Sequence, residues 1–318
     1  MDKLSDDMDS AIRRFGSQIK LRFRERLMTA SKIKKQDDCW CHSGEIYENC
    51  HLNKSMGRIL SAGEIRDEIS KIFRNKKFCC ASFDTDNCKL PIKGAHTIQR
   101  ARVLDSLSKE GHVGTFYQNH NGYEAQKDFR SGIKKEASIF YGFCDFHDTN
   151  LFREIEVEEF EISSENCWAS SYRAVCHEFY QKNAAKEAVL WQQQYIDQGR
   201  SLEHQIIIQE DIFFQKRDIL KGFGDIEKVK EKYEKIKIKE NFSQLSSYVI
   251  ELDESLEIAV SACISPYYDI DGKKIQNLGD PHVDFQYIAI STIIVNDNAA
   301  YVLSYLKEHS VMGEYLSV

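Results

Sequence analysis

Proline is almost missing from this sequence of 318 residues, which has only Pro91, Pro266 and Pro281. Punctuation must therefore come from glycine, asparagine and charge clusters, and element boundaries are soft. No uninterrupted apolar run approaches the roughly 18 to 20 residues of a spanning helix, which excludes a membrane-spanning chain. The opening MDKLSDDMDS lacks the basic-then-apolar order of a secretory signal, so the expected compartment is the cytoplasm. Also absent are a G-x-x-x-x-G-K-[ST] loop, a G-x-G-x-x-G turn opening a helix and a G-x-S-x-G elbow. Nucleotide hydrolysis, dinucleotide chemistry and serine hydrolysis have no motif to rest on, and nothing asks for an organic cofactor. No repeat or low-complexity stretch occurs. The end at Val318 carries no clear stop and leaves open that the chain continues.

The length suits two modest domains or one large one, each able to bury a core. A net charge of -7 does not present the whole chain as a polyanion binder. The charge is uneven, however. Arg13, Arg14, Lys20, Arg22, Arg24, Arg26, Lys32, Lys34 and Lys35 face the single acid Glu25 within one segment, an excess suited to phosphates or to a solvated helix face. Ile12, Phe15, Ile19, Phe23 and Leu27 recur there at helical spacing, so a basic amphipathic helix over about 9–34 is expected to dock against something.

The expected organisation is α+β. It comprises the basic helix (1–36), a Cys/His knuckle (37–56), a second Cys/His module (57–156), a helical hairpin (157–240) and a β-rich segment (241–318). Ile65, Ile69 and Ile72 share one face of a helix over 62–74. IQRARVLDSLSK reads as a helix, GHVGTFYQNHNGYEAQ as strand and turn, and ASIFYGF as a strand entering the next knuckle. Two long helices pair antiparallel about Gly199. A DG turn falls at Asp271 and Gly272, and AAYVLSYLKEH reads as a closing helix.

Ten cysteines in a chain expected in the cytoplasm, several in close pairs near histidines, point to metal rather than disulfides. Residues 39–51, CWCHSGEIYENCH, place Cys39, Cys41, Cys50 and His51 in C-x-C-x8-C-H spacing. Three thiolates and an imidazole form the set that tetrahedral zinc takes. A second set joins Cys80 and Cys88, or Cys79 in place of Cys80, to Cys144 and His147 in FCDFHD. His96 lies between these pairs in GAHTIQR.

The first stretch resembles the SEC-C motif, a zinc knuckle found on many bacterial proteins, with Ser43, Gly44 and Tyr47 at its serine, glycine and aromatic positions. Trp40 and His42 stand where proline and glycine are usual. The resemblance implies structural zinc and a protein-docking role. The second stretch resembles the HNH, or His-Me finger, nucleases and a group of uncharacterised bacterial proteins carrying C…C…AHSIQ, a GHV strand and FCxxHDxxLFxxIE. In the nucleases the histidine is the general base and a divalent ion stabilises the phosphate. By position His96 is then the base, and His120, Asp145, Asp148 and Asn150 are candidates to hold Mg(II) or Mn(II). Gln99 stands where many such nucleases have proline. The implied function is a metal-dependent nuclease on DNA or RNA, in bacterial anti-phage defence by the company such modules keep. The competing expectation is a non-catalytic zinc adaptor that docks onto a protein, a ribosome or nucleic acid, with His96 a structural residue. His177, Cys176, Cys167 and Cys263 read as core, and Asp280, His282 and Asp284 as a turn.

Overall fold

A computed structural model describes residues 18–119, 126–133, 137–156, 160–253, 255–280 and 282–316; for residues 18, 115–119 and 126–133 the backbone alone is described. Ile12, Arg13, Arg14, Phe15 and His120 lie outside these residues. The structure mixes helix and sheet. Its order is α1 (Gln18–Ala30), α2 (Tyr47–Cys50), α3 (Ala62–Asn75), β1 (Ile92–His96), a π-helical turn (Arg100–Leu104), α4 (Asp105–Leu107), β2 (His112–Asn119), β3 (Gln126–Ile133) and β4 (Ile139–Cys144). There follow α5 (Asp145–Glu156), α6 (Ser164–Tyr195), α7 (Leu202–Ile238), β5 (Leu245–Glu251), β6 (Ser261–Ile264), β7 (Ile288–Val295), β8 (Asn298–Leu306) and α8 (Ser310–Leu316). Among the described residues no helix is long and apolar enough to cross a membrane.

The chain forms two compact units, residues 1–76 with 181–223 and residues 77–180 with 224–318, so the division falls inside α6 and α7. In the first unit the chain enters α3 through a reciprocal cap. The Ser61 hydroxyl accepts from Glu64 N at 3.2 Å, and the Glu64 carboxylate accepts from Ser61 N at 2.9 Å. The basic helix α1 turns its apolar stripe inward: Ile19 is buried, and Phe23 and Leu27 pack on the cluster of Ala30, Cys39, Trp40, Cys41 and Ile206. Two of its arginines are also turned inward. Arg22 and Arg26 both donate to the buried Glu210, and the Arg22 guanidinium lies 4.2 Å from the Phe213 ring centre. The basic surface is therefore smaller than the sequence suggests, and Lys20, Arg24, Lys32, Lys34 and Lys35 remain exposed.

The second unit holds three antiparallel arrangements: β1 with β4, β2 with β3, and a sheet in the order β5-β8-β7-β6. IQRARVLDSLSK is not one α-helix. It splits into the π-helical turn, closed by Leu104 N donating to Gln99 O at 3.0 Å, and the short α4. The expected closing helix AAYVLSYLKEH is overturned, because Asn298–Leu306 is a strand paired on both sides. Asn296 and Asp297 both have positive φ, 47° and 63°, the backbone of a tight two-residue hairpin turn, and this sets Val295 opposite Asn298. Alternation then sends Ala300, Val302, Ser304 and Leu306 to one buried face.

Pairing along α6 and α7 is antiparallel in each unit taken by itself, as Gln209 to Gln193 in the first and Trp168 to Tyr233 in the second. The turn between these helices depends on Gly199. Its φ is +73°, its N–H donates to Lys54 O at 2.8 Å, and a Cβ there would lie 2.4 Å from Gly57 O. Gly199→Ala is expected to destabilise the first unit by about 2 kcal/mol or more, through left-handed strain and that clash. A urea midpoint unchanged from the parent would refute this.

Candidate metal centres and the His96 site

The first cluster is local in sequence, and its backbone explains why. His42 adopts φ 54° and Gly44 φ 89°, and the chain between them reverses so that Cys39 N bonds Glu45 O at 2.9 Å. His42 thus takes the left-handed conformation that glycine adopts without strain. Its ring lies against Phe213. Trp40 is 2% exposed and packs 4.4 Å from the His51 ring. Burying an indole removes on the order of 200 Å² from water, about 5 kcal/mol before entropy, which a knuckle too small for its own core needs.

Cys39, Cys41, Cys50 and His51 bring one ligand atom each to within 4.8 Å of all the others. His51 Nδ1 is 3.2 Å from Cys39 Sγ and 3.1 Å from Cys50 Sγ, and Cys41 Sγ is 3.5 Å from Cys50 Sγ. Tetrahedral zinc spaces such atoms by about 3.5 to 3.8 Å, so this set can hold a metal ion and is compatible with zinc. Hydrogen bonds from Cys39 and Cys50 hold Cys41 well below the ordinary thiol range, while its partner Cys39 is pushed up. Burial opposes protonation of His51, but the Asp197 carboxylate and the neighbouring sulfurs outweigh it and hold His51 at about 10.

Asp197 was not singled out from sequence. The His51 Nε2–H donates to its Oδ2 at 2.9 Å, which fixes Nδ1 toward the cysteines. Asp197 is fully buried and is met by Lys54 Nζ at 2.6 Å and Gln209 Nε2 at 2.8 Å. No local spacing marks it, because it lies 146 residues from His51.

The second cluster consists of Cys79, Cys88, Cys144 and His147, again within 4.8 Å of one another. This corrects Cys80 to Cys79. Cys79 Sγ lies 3.3 Å from His147 Nδ1, whereas Cys80 is 1% exposed and its thiol meets Cys176 O at 3.8 Å. Cys144 ends β4 and His147 lies in the first turn of α5, a strand-to-helix junction that brings both into the cluster. Burial raises Cys144, but the backbone N–H groups of His147 and Lys89 outweigh it and bring it down to about 7. Burial pushes Cys79 up to about 12. The imidazole is oriented as in the first cluster, with His147 Nε2 3.3 Å from the Asp84 carboxylate. The knuckle loop is anchored by Ser82, whose hydroxyl donates to Glu234 at 2.9 Å, and Lys230 pairs with the same buried carboxylate at 2.7 Å.

His96 belongs to neither cluster. It ends β1, half-buried, with Nδ1 3.0 Å from Ala137 O; a carbonyl only accepts, so Nδ1 carries the proton and Nε2 keeps its lone pair. Burial lowers its pKa, as do Arg100 and Arg173, against the Ala137 carbonyl and Glu156. Gln99 donates to Glu156 O at 2.7 Å and ties the segment after β1 to the end of α5. Of the other candidates, Asp145 pairs with Lys93 and Asn150 bonds its own helix at Phe146 O. Asp148 differs: its Oδ1 is buried without a hydrogen-bond partner, and burial holds the carboxyl up at about 6. His177 is half-buried against the Phe140 ring and pushed down to about 4 by burial, and Cys167, Cys176 and Cys263 are buried. Asp280 caps His282 N in a turn while Asp284 pairs with Lys228.

Cys79→Ser is expected to halve the bound metal and Cys80→Ser to leave it unchanged, read by elemental analysis of purified protein. Asp197→Asn should weaken the first site about 10- to 100-fold while sparing the second, in a chelator competition. Equal loss at both sites would count against the assignment. No family model, no curated protein and no solved structure matches this chain.

Proposed function

We propose that this chain is a metal-dependent, HNH-like nuclease in which both Cys₃His clusters hold structural zinc. Four protein ligands leave no open position for water at either cluster, so catalysis is assigned elsewhere. The observation that carries the reading is the strand–strand–helix unit β1, β4 and α5, held at one end by the second cluster, with His96 at the end of β1. His96 has its proton on Nδ1 and a free lone pair on Nε2, the tautomer that accepts a proton from water. The lowering of its pKa by burial and by Arg100 and Arg173 keeps it neutral near pH 7. On α5 the unpartnered carboxylate oxygen of Asp148 makes it our choice to hold Mg(II) or Mn(II). Such an ion, when bound, supplies charge stabilisation at the phosphate and leaving oxygen. Lys20, Arg24, Lys32, Lys34 and Lys35 are the exposed cations available to a nucleic-acid backbone. The setting we attach is the cytoplasm of a bacterium, in defence against foreign nucleic acid.

Purified protein with Mn(II) or Mg(II) is expected to cleave plasmid DNA or a structured RNA. His96→Ala should lose about 100-fold or more while retaining both zincs. Because the base acts when neutral and its pKa is lowered from 6.5, cleavage should hold at neutral pH and fall only as pH drops below 6.5. Absence of cleavage from zinc-replete protein would refute the nuclease and favour the adaptor, whose docking surfaces on a protein, a ribosome or nucleic acid would then be sought by partner capture.

A further inference from the structure

A cleft of about 430 Å³ lies wholly within the first unit, lined by α3, the chain leading into it and the C-terminal end of α6. Neither metal cluster contributes to it. Helix α6 supplies Trp191 and Tyr195, one helical turn apart, with ring centres separated by 5.4 Å and planes tilted by 37°. Helix α3 supplies Glu64, Asp67, Glu68 and Lys71, a spacing that puts them on one face, and Arg58 comes from the chain before it. Most of these charges are settled among themselves. Arg58 meets both Glu64 oxygens, at 2.7 and 3.0 Å, and Lys71 meets Glu68. Asp67 makes no hydrogen bond or ion pair among the described residues, so the cleft keeps one uncompensated carboxylate. The rings are unclaimed as well. Elsewhere the first unit seats its own cations on aromatic faces, with Arg22 4.2 Å from the Phe213 ring centre and Lys186 4.1 Å from that of Phe223. Among the described residues no cation lies over Trp191 or Tyr195, and Tyr195 is 37% exposed. An open aromatic pair beside a free carboxylate attracts a positive charge twice over, through the ring quadrupoles and through the carboxylate.

We propose that this cleft binds an alkylated ammonium cation, with Trp191 and Tyr195 against its methyl groups and Asp67 as its counter-charge. The ligand carries a single charge because a single carboxylate is left over. Its alkylation follows from the count of donors. A primary ammonium brings three N–H groups that each need an acceptor, whereas a quaternary one brings none and spreads its charge over carbons that pack on rings. The same headgroup occurs on free choline-like molecules and on methylated lysine side chains. This inference is independent of the nuclease reading.

The test uses the zinc-loaded full chain at fixed ionic strength, with choline chloride replacing sodium chloride. Trp40 and Trp168 are 2% and 1% exposed, so the fluorescence that responds to a solute in the cleft comes from Trp191, and its loss in Trp191→Phe assigns it. A saturable change is expected with choline and none with 3,3-dimethylbutan-1-ol, the neutral molecule of the same shape. Asp67→Asn should weaken half-saturation about three- to fivefold and Tyr195→Leu about threefold or more, each with the zinc content of the parent. A trimethyl-lysine peptide in a parallel titration separates the sources: tighter binding than choline points to a protein-borne cation, and no gain to a free one. No saturable change with either cation, an equal response to the neutral alcohol, or an affinity unchanged in both Asp67→Asn and Tyr195→Leu would overturn the site.

Discussion

An imidazole that gives one nitrogen to a buried cluster of thiols must find an acceptor for the other, and much of this molecule follows from that requirement. His51 meets it with Asp197. Asp197 is itself a charge with no exposure, so it needs Lys54 and Gln209. Lys54 also donates to Gln193 O, and Gln193 Nε2 returns to Cys41 O, which closes a ring of dependence around the first cluster. Each group is buried only because the next one satisfies it. Removing any member leaves a polar atom stranded away from water, at about 1–3 kcal/mol or more.

The second cluster uses the same device in a wetter place. Its carboxylate, Asp84, has a side chain 31% exposed, where that of Asp197 has none. The deeper investment there lies in Glu234, which holds Ser82, Lys230 and the Tyr172 hydroxyl together beneath the knuckle. The first cluster therefore organises a helix turn, and the second organises the strand and helix that present His96 and Asp148.

What could be read in the sequence was what chemistry writes at short range. The candidate ligands Cys39, Cys41, Cys50 and His51, the helix of Ile65, Ile69 and Ile72, and the turn at Gly199 all announce themselves by local spacing. Cys79 and Cys80 are neighbours, and only the direction of the extended backbone decides that one points to Cys144 and His147 and the other to Cys176. AAYVLSYL satisfies helical and strand periods alike. The deciding signal was the Asn296–Asp297 pair before it, since these residue types tolerate the positive φ of a tight hairpin. Arg22 and Arg26 looked like solvent charge because their carboxylate, Glu210, lies 188 and 184 residues away in sequence. Long-range pairing of this kind has no local trace.

The separation between His51 and Asp197 also sets a clock on biosynthesis. The thiols of the first knuckle leave the ribosome early, but the carboxylate that orients their imidazole follows 146 residues later. At about 5–20 residues per second that gap lasts roughly 7 to 30 seconds. During it the local turn can bring Cys39, Cys41 and Cys50 together, but the His51 imidazole lacks the carboxylate that fixes it, so the first cluster is completed only when the turn after α6 is made.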